Sequence, residues 1–127
     1  MLGPVTGWKL DRSERDALLR CFPPRWPDVI ADHVTLASRR AGPRPVPVAT
    51  RGSIVGYVDD GEGLEALVIE IDGTTDRPDG STFHITWSLD RARGRVPVQS
   101  NEVLARIGWE RLPDPVPVSV SLIPGRW

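Results

Sequence analysis

The chain has 127 residues, which suits one domain with a single modest core. Apolar residues make up 39 % and charged residues 26 %, ordinary values for a soluble globular protein. The formal net charge of -1 excludes a global basic field able to hold long duplex nucleic acid, yet a few local cations would suffice for a small phosphate-bearing ligand. Cys21 is alone, so no intrachain disulfide or thiolate metal site can form, and it reads as a packing residue of a helix. No apolar run reaches membrane length, and Met-Leu-Gly-Pro-Val lacks a leader pattern. The expectation is a cytoplasmic protein without a membrane partner, its oligomeric state left open.

In chain order, Asp11 is placed to cap a helix running to Cys21, with Glu14 completing a capping box and Pro23-Pro24 ending it. Residues 32–38 read as a strand, 46–51 as a further short strand and 53–59 as another. The turn Asp60-Gly61-Glu62-Gly63 joins that last one to a strong strand over 64–71, and the two pair as a hairpin. The polar stretch 72–81 reads as a loop, and its acids, like those of the turn, as solvated residues. Residues 82–89 form the next strand. Ser100 is placed to cap a short helix that Gly108 ends, and the alternating run 116–122 reads as a final strand, at a sheet edge because of Pro117. The order predicts an α+β fold with mainly antiparallel sheets and two helices, in one domain over residues 1–127.

The chain has only two histidines, and both stand in the same tetrapeptide pattern of His, apolar, Thr, apolar: His33-Val34-Thr35-Leu36 and His84-Ile85-Thr86-Trp87. Composition makes that coincidence roughly a 1-in-10,000 event. Side chains alternate along a strand, so His33 and Thr35 share one face, and His84, Thr86 and Ser88 share another. Phe83, Ile85 and Trp87 then turn to the core. Each strand thus offers an imidazole and a hydroxyl to one cleft. Two His and two Thr around one small space suit a phosphate: the hydroxyls donate to its non-bridging oxygens, one imidazole takes a proton and the other gives one. An ordinary imidazole pKa near 6.5 allows both roles near neutral pH, and no metal is required.

On these residues the chain resembles the 2H phosphoesterase superfamily, whose hallmark is two His-x-Thr/Ser-x motifs facing a common groove. It is most similar to the cyclic phosphodiesterase domain of fungal-type tRNA ligases, through Asp32-His33-Val34-Thr35-Leu36, the segment from Arg95 to Leu104, and the stretches Val55–Tyr57 and Leu67–Gly73. The resemblance implies a compact, pseudo-symmetric, two-lobed fold. It implies hydrolysis of a 2′,3′-cyclic phosphate of an RNA end or nucleotide, with His33 and His84 catalytic, Thr35 and Thr86 holding the phosphate, and no cofactor or metal. The compact spacing of the motifs implies a trimmed lobe. A hydrolase of cyclic oligonucleotide signals is the other enzyme reading, and a non-catalytic nucleotide- or RNA-binding module is the reading without chemistry. Ligation, the reverse direction, is also known in the superfamily.

Further candidates for substrate contact are Trp26, which follows Arg25 and could stack a base, and Tyr57. Arginines follow each motif, at 39, 40, 44 and 51 and at 91, 93 and 95. Arg91 and Arg93 are the better candidates because they lie just past the His84 strand. Trp8, Trp87 and Trp109 read as packing residues.

Overall fold

The computed structural model describes residues 4–42, 44–113 and 118–127. In chain order the elements are β1 (Thr6–Leu10), α1 (Arg12–Cys21), β2 (Asp28–Val29), β3 (His33–Ala37), β4 (Arg51–Asp59), β5 (Leu64–Glu70), β6 (His84–Leu89), α2 (Gln99–Ile107), β7 (Glu110–Arg111) and β8 (Val118–Arg126). The class is α+β, with two helices and one antiparallel, curled sheet. Its strand order is β2-β6-β5-β4-β8-β1-β3, with β7 also paired to β4. No described helix is long and apolar enough to cross a membrane.

Each face of the sheet buries its own apolar cluster. Trp8, Leu10, Ile54, Leu67, Ile69, Ile85, Trp87, Val120 and Leu122 pack with Leu18 of α1 on one face. On the other, Val55, Val58, Leu64, Ala66, Val68 and Leu89 pack with Val103 and Leu104 of α2. The alternation of β5, buried on both faces, explains its nearly continuous run of apolar residues.

The β4–β5 hairpin forms as its turn chemistry dictates, but Asp60 is not solvated. Its side chain is 1 % exposed and ion-paired to Arg95 at 2.5 Å, and it accepts from the backbone N–H of Glu62 and Leu64. Asp11 does cap α1, accepting from Ser13 N at 2.8 Å. Glu14 closes no capping box; its carboxylate takes the backbone N–H of Ser121 on β8 instead, tying the helix to the sheet. Cys21 at the end of α1 is exposed rather than packed.

Other expectations are corrected. Within 44–50 there is no strand, and Ala49 serves as acceptor for the Trp8 indole N–H. The final strand is not at an edge: β8 lies between β4 and β1, its first half on one and its second half on the other. Residues 116 and 117, where that strand was expected to begin, lie outside the described residues. Ser100 is no cap. α2 starts after Val98, while Ser100 is buried within its first turn. Strands β1, β2 and β7 were not expected; Gly7 in β1 is needed because a Cβ there would lie 2.2 Å from the Val34 carbonyl of β3.

What brings the two sides of the curled sheet together is the segment from 28 to 33. Residues 28–29 pair with β6, and the ladder continues through Ile30 N to Trp87 O (2.9 Å) and Ala31 N to Thr86 O (3.0 Å). Ala31 then adopts φ 42°, left-handed for a buried non-glycine residue. One residue later Asp32 O accepts from Leu10 N at 3.0 Å, and the chain is on the β1 ladder as β3. The Arg15 guanidinium of α1 satisfies both carbonyls at the bend, Ala31 O at 2.8 Å and Ile30 O at 3.2 Å.

A branched side chain at this bend meets both left-handed backbone and a full core. Ala31→Val is expected to cost about 2–4 kcal/mol, read as a lowered urea midpoint, and Ala31→Gly to stay within about 1 kcal/mol of the wild type. A valine variant as stable as the wild type would contradict the strain at Ala31.

Candidate active site

A cleft of about 690 Å³ opens where β3 and β6 approach, on the α2 face of the sheet. His33, Thr35, His84 and Thr86 all line it. The register explains why: His84 stands opposite Val68 and Thr86 opposite Ala66, both residues of the α2-face cluster, while Val34 and Ile85 turn to the other core. Ser88 does not share this face. The register steps from Ala66–Thr86 to Glu65–Ser88, so Trp87 is an extra residue in β6, a β-bulge. The bulge turns Ser88 to the opposite face, where its hydroxyl donates to the buried Glu65 at 2.7 Å.

The two imidazoles are held alike but in unlike surroundings. His84 Nδ1 lies 2.8 Å from Thr82 O, and a carbonyl only accepts, so Nδ1 carries the proton. His33 Nδ1 lies 3.1 Å from Asp32 Oδ2 and donates to that carboxylate. In both rings Nε2 is left without a protein partner among the described residues. Asp32 is itself fixed by Lys9 at 2.6 Å and Arg12 at 2.7 Å, and against the effect of burial its hydrogen bonds with Lys9 and His33 hold its carboxyl below its ordinary pKa.

Burial above all, joined by the nearby Arg77 and His33, pushes His84 down to about 4 against the opposing Thr82 hydrogen bond. His33 is also lowered, by burial first, but Asp32 opposes that shift. His84 is therefore a neutral base across the physiological range, and His33 is the ring with a carboxylate to favour its charged form.

The threonines differ as well. Thr86 Oγ1 lies 2.8 Å from Ser100 Oγ of α2 and 3.4 Å from Pro97 O, so its hydroxyl is tied to the helix. Thr35, half-buried, has no such partner among the described residues.

Among the described residues three arginines line the cleft, Arg39, Arg40 and Arg77, and no acid does. Arg39 and Arg40 form the 3₁₀ turn just after β3 and have no acidic partner among the described residues. Arg77 comes from the 72–81 loop and is 7 % exposed, with Asp79 at 2.9 Å. Sequence reading named Arg39 and Arg40 as a group but missed Arg77, Asp32, Ser100 and Trp127. Only Asp32, directly before His33, carried a local signal.

The other candidates lie elsewhere. The Trp26 ring, half-buried, has Arg25 and Arg93 over it at 4.7 and 5.3 Å and does not line this cleft. Tyr57 donates to Glu65 at 3.1 Å and borders a separate cavity with Trp109. Arg93 pairs with Asp90, and the Arg91 backbone N–H donates to Asp28. They follow the end of β6 remote from His84, roughly 20 Å of strand away. No group of three or more His, Cys, Asp or Glu among the described residues is placed to hold a metal ion.

A buried neutral histidine makes stability depend on pH. The unfolded chain binds the His84 proton near pH 6.5 and the folded chain only near 4. Stability is thus full above pH 6.5 and falls as pH drops through that window, by about 3 kcal/mol. His33 acts in the same direction, whereas Asp32 and Asp79 act only below the ordinary carboxylate range. Urea unfolding at pH 7.5 and 4.5 should show the loss, and His84→Gln should remove most of it; an unchanged loss in the variant would refute the assignment. No family model, curated protein or solved structure matches the chain.

Proposed function

We propose that this cleft hydrolyses a 2′,3′-cyclic phosphodiester of a nucleotide or RNA end, by general acid–base catalysis with two histidines and no metal. The observation that carries the reading is the pairing of two imidazoles, each anchored through Nδ1 with Nε2 free, in a cleft that among the described residues is lined by three arginines and no acid. On this reading the chain is a 2H phosphoesterase, with β3 and β6 as the motif strands of two pseudo-symmetric lobes acting on a cytoplasmic substrate.

The environments assign the roles. His84 Nε2, neutral, takes a proton from water as its oxygen attacks phosphorus. The bond from phosphorus to one ribose oxygen breaks, and His33, in its charged form beside Asp32, gives the Nε2 proton to that departing oxygen. Thr35 and the arginines hold the non-bridging oxygens, where negative charge grows in the transition state. Thr86 takes part in the same shell only when its hydroxyl turns from Pro97 O, with Ser100 fixing the oxygen.

The first test is turnover of the four nucleoside 2′,3′-cyclic monophosphates in EDTA, with products separated as 2′- and 3′-phosphates. His33→Ala and His84→Ala are each expected to lose about 100- to 10,000-fold in rate. A His33→Ala protein with near wild-type turnover sinks the mechanism. If no monophosphate turns over, cyclic oligonucleotides and ADP-ribose cyclic phosphate are next, and failure on all of them favours the binding module.

The pH profile tests the roles. A base with pKa about 4 and an acid below its ordinary 6.5 give a bell for kcat/KM, rising through pH 4 and falling again before pH 6.5. His84→Ala should abolish the acidic limb of whatever rate remains. A profile that rises to a plateau above pH 7 would contradict the assignment.

A further inference from the structure

One aromatic ring lines the cleft among the described residues other than the histidines, and it is Trp127. Its ring meets the His33 imidazole edge-on, with centroids 5.2 Å apart and planes at 71°. The Lys9 ammonium lies over the indole, 4.5 Å from the centroid. Lys9 does not line the cleft, so the indole presents another part of its surface there. The ring is also held in place. Trp127 exchanges two backbone hydrogen bonds with Val5, at 2.8 and 2.9 Å, and Lys9 is itself fixed by Asp32 at 2.6 Å.

A half-exposed indole, fixed from behind and beside a reactive imidazole, is a preorganised flat apolar surface. Nothing in the fold requires it to remain uncovered. A partner that stacks there gains contact without the cost of ordering the ring. The partner must be planar and joined through a short linker to a phosphate, because the His33 ring is in contact with the indole while the arginines gather anions in the same cleft.

From this we infer that Trp127 is the stacking platform for a nucleobase, and so the residue that makes the cleft select nucleoside phosphates over phosphodiesters without a base. The inference rests on reading the cleft as a phosphodiester site, and adds how that site would choose its substrate. Stacking on a π-face is tolerant of base identity, so selection would be for a base rather than for one base.

Two measurements on the purified full chain separate this from the proposed activity. By calorimetry, Trp127→Leu should weaken binding of adenosine 2′-monophosphate about 10- to 100-fold and inorganic phosphate no more than a few-fold, with Trp127→Phe restoring most of the nucleotide affinity. By kinetics, the ratio of kcat/KM for adenosine 2′,3′-cyclic phosphate to that for methyl riboside 2′,3′-cyclic phosphate, which has no base, should fall by a similar factor in Trp127→Leu. Equal loss for both ligands in either assay would reduce Trp127 to a support for His33 and overturn the inference, as would no loss for either. If neither these compounds nor the larger cyclic phosphates turn over, the proposed hydrolysis fails while the calorimetry still decides the role of Trp127.

Discussion

The left-handed bend at Ala31 is the constraint on which the rest of the cleft depends. Two ladders compete for the same short segment, and the chain leaves one for the other within two residues. Because Ala31 donates to Thr86 and His33 follows two positions later, the two motifs are tied through backbone hydrogen bonds rather than left to meet by packing. Such a bend costs about 1–2 kcal/mol for an L-residue and exposes carbonyls that a buried site cannot leave unpaired. The fork of Arg15 answers both carbonyls from α1, and Glu14, one residue earlier, answers an N–H of β8. Helix α1 thus serves as a clasp over the junction, and its polar side is as necessary to the fold as its apolar one.

Identical motifs became unlike groups because their neighbours differ. The backbone carbonyl at Thr82 fixes the His84 tautomer without adding a charge, and burial beside Arg77 then favours the neutral ring. A carboxylate does the same geometric work for His33 while favouring its cation. Two groups of one ordinary pKa are thereby pushed apart, as acid–base chemistry at a single pH requires. The symmetry lies in the sequence, and the asymmetry that chemistry needs lies in what each ring touches.

The parts of this that were legible in the sequence are the local ones. The two motifs, the β4–β5 hairpin with its Asp-Gly turn, the Asp11 cap and the Gly108 stop each depend on residues a few positions apart. The rest depends on distance in space. Nothing in an isolated Ile-Ala-Asp announces positive φ at Ala31, and the bulge at Trp87 is a property of two strands and not of one. Arg77 lies in a stretch whose polarity reads as solvated, yet the loop folds on itself, with Arg77 N bonded to Ser81 O, and buries the guanidinium. Arg91 and Arg93 lie outside the cleft for the opposite reason: closeness in sequence to a strand's end carries them away from residues at its beginning. Trp26 and Tyr57 have suitable chemistry but neither lines the cleft: one packs with two guanidiniums and the other is bonded to a buried carboxylate.

A chain of net charge -1 can still present a cationic cleft because its acids are spent elsewhere. Asp59, Asp60, Asp90 and Glu102 each neutralise an arginine remote from the cleft, and none of them faces it. The local field is therefore set by Arg39 and Arg40, with Arg77 partly offset by Asp79 beside it, whatever the sum over the chain. That field acts on the histidines too. Burial and Arg77 both disfavour the His84 cation. An anion seated among the arginines reverses the sign of the nearest charge and favours protonated imidazole, so binding and proton uptake reinforce each other, and by linkage each strengthens the other equally. Burial and the arginine keep His84 neutral. Under the proposed hydrolysis, the bound phosphate would itself raise the affinity of the ring for the proton it takes.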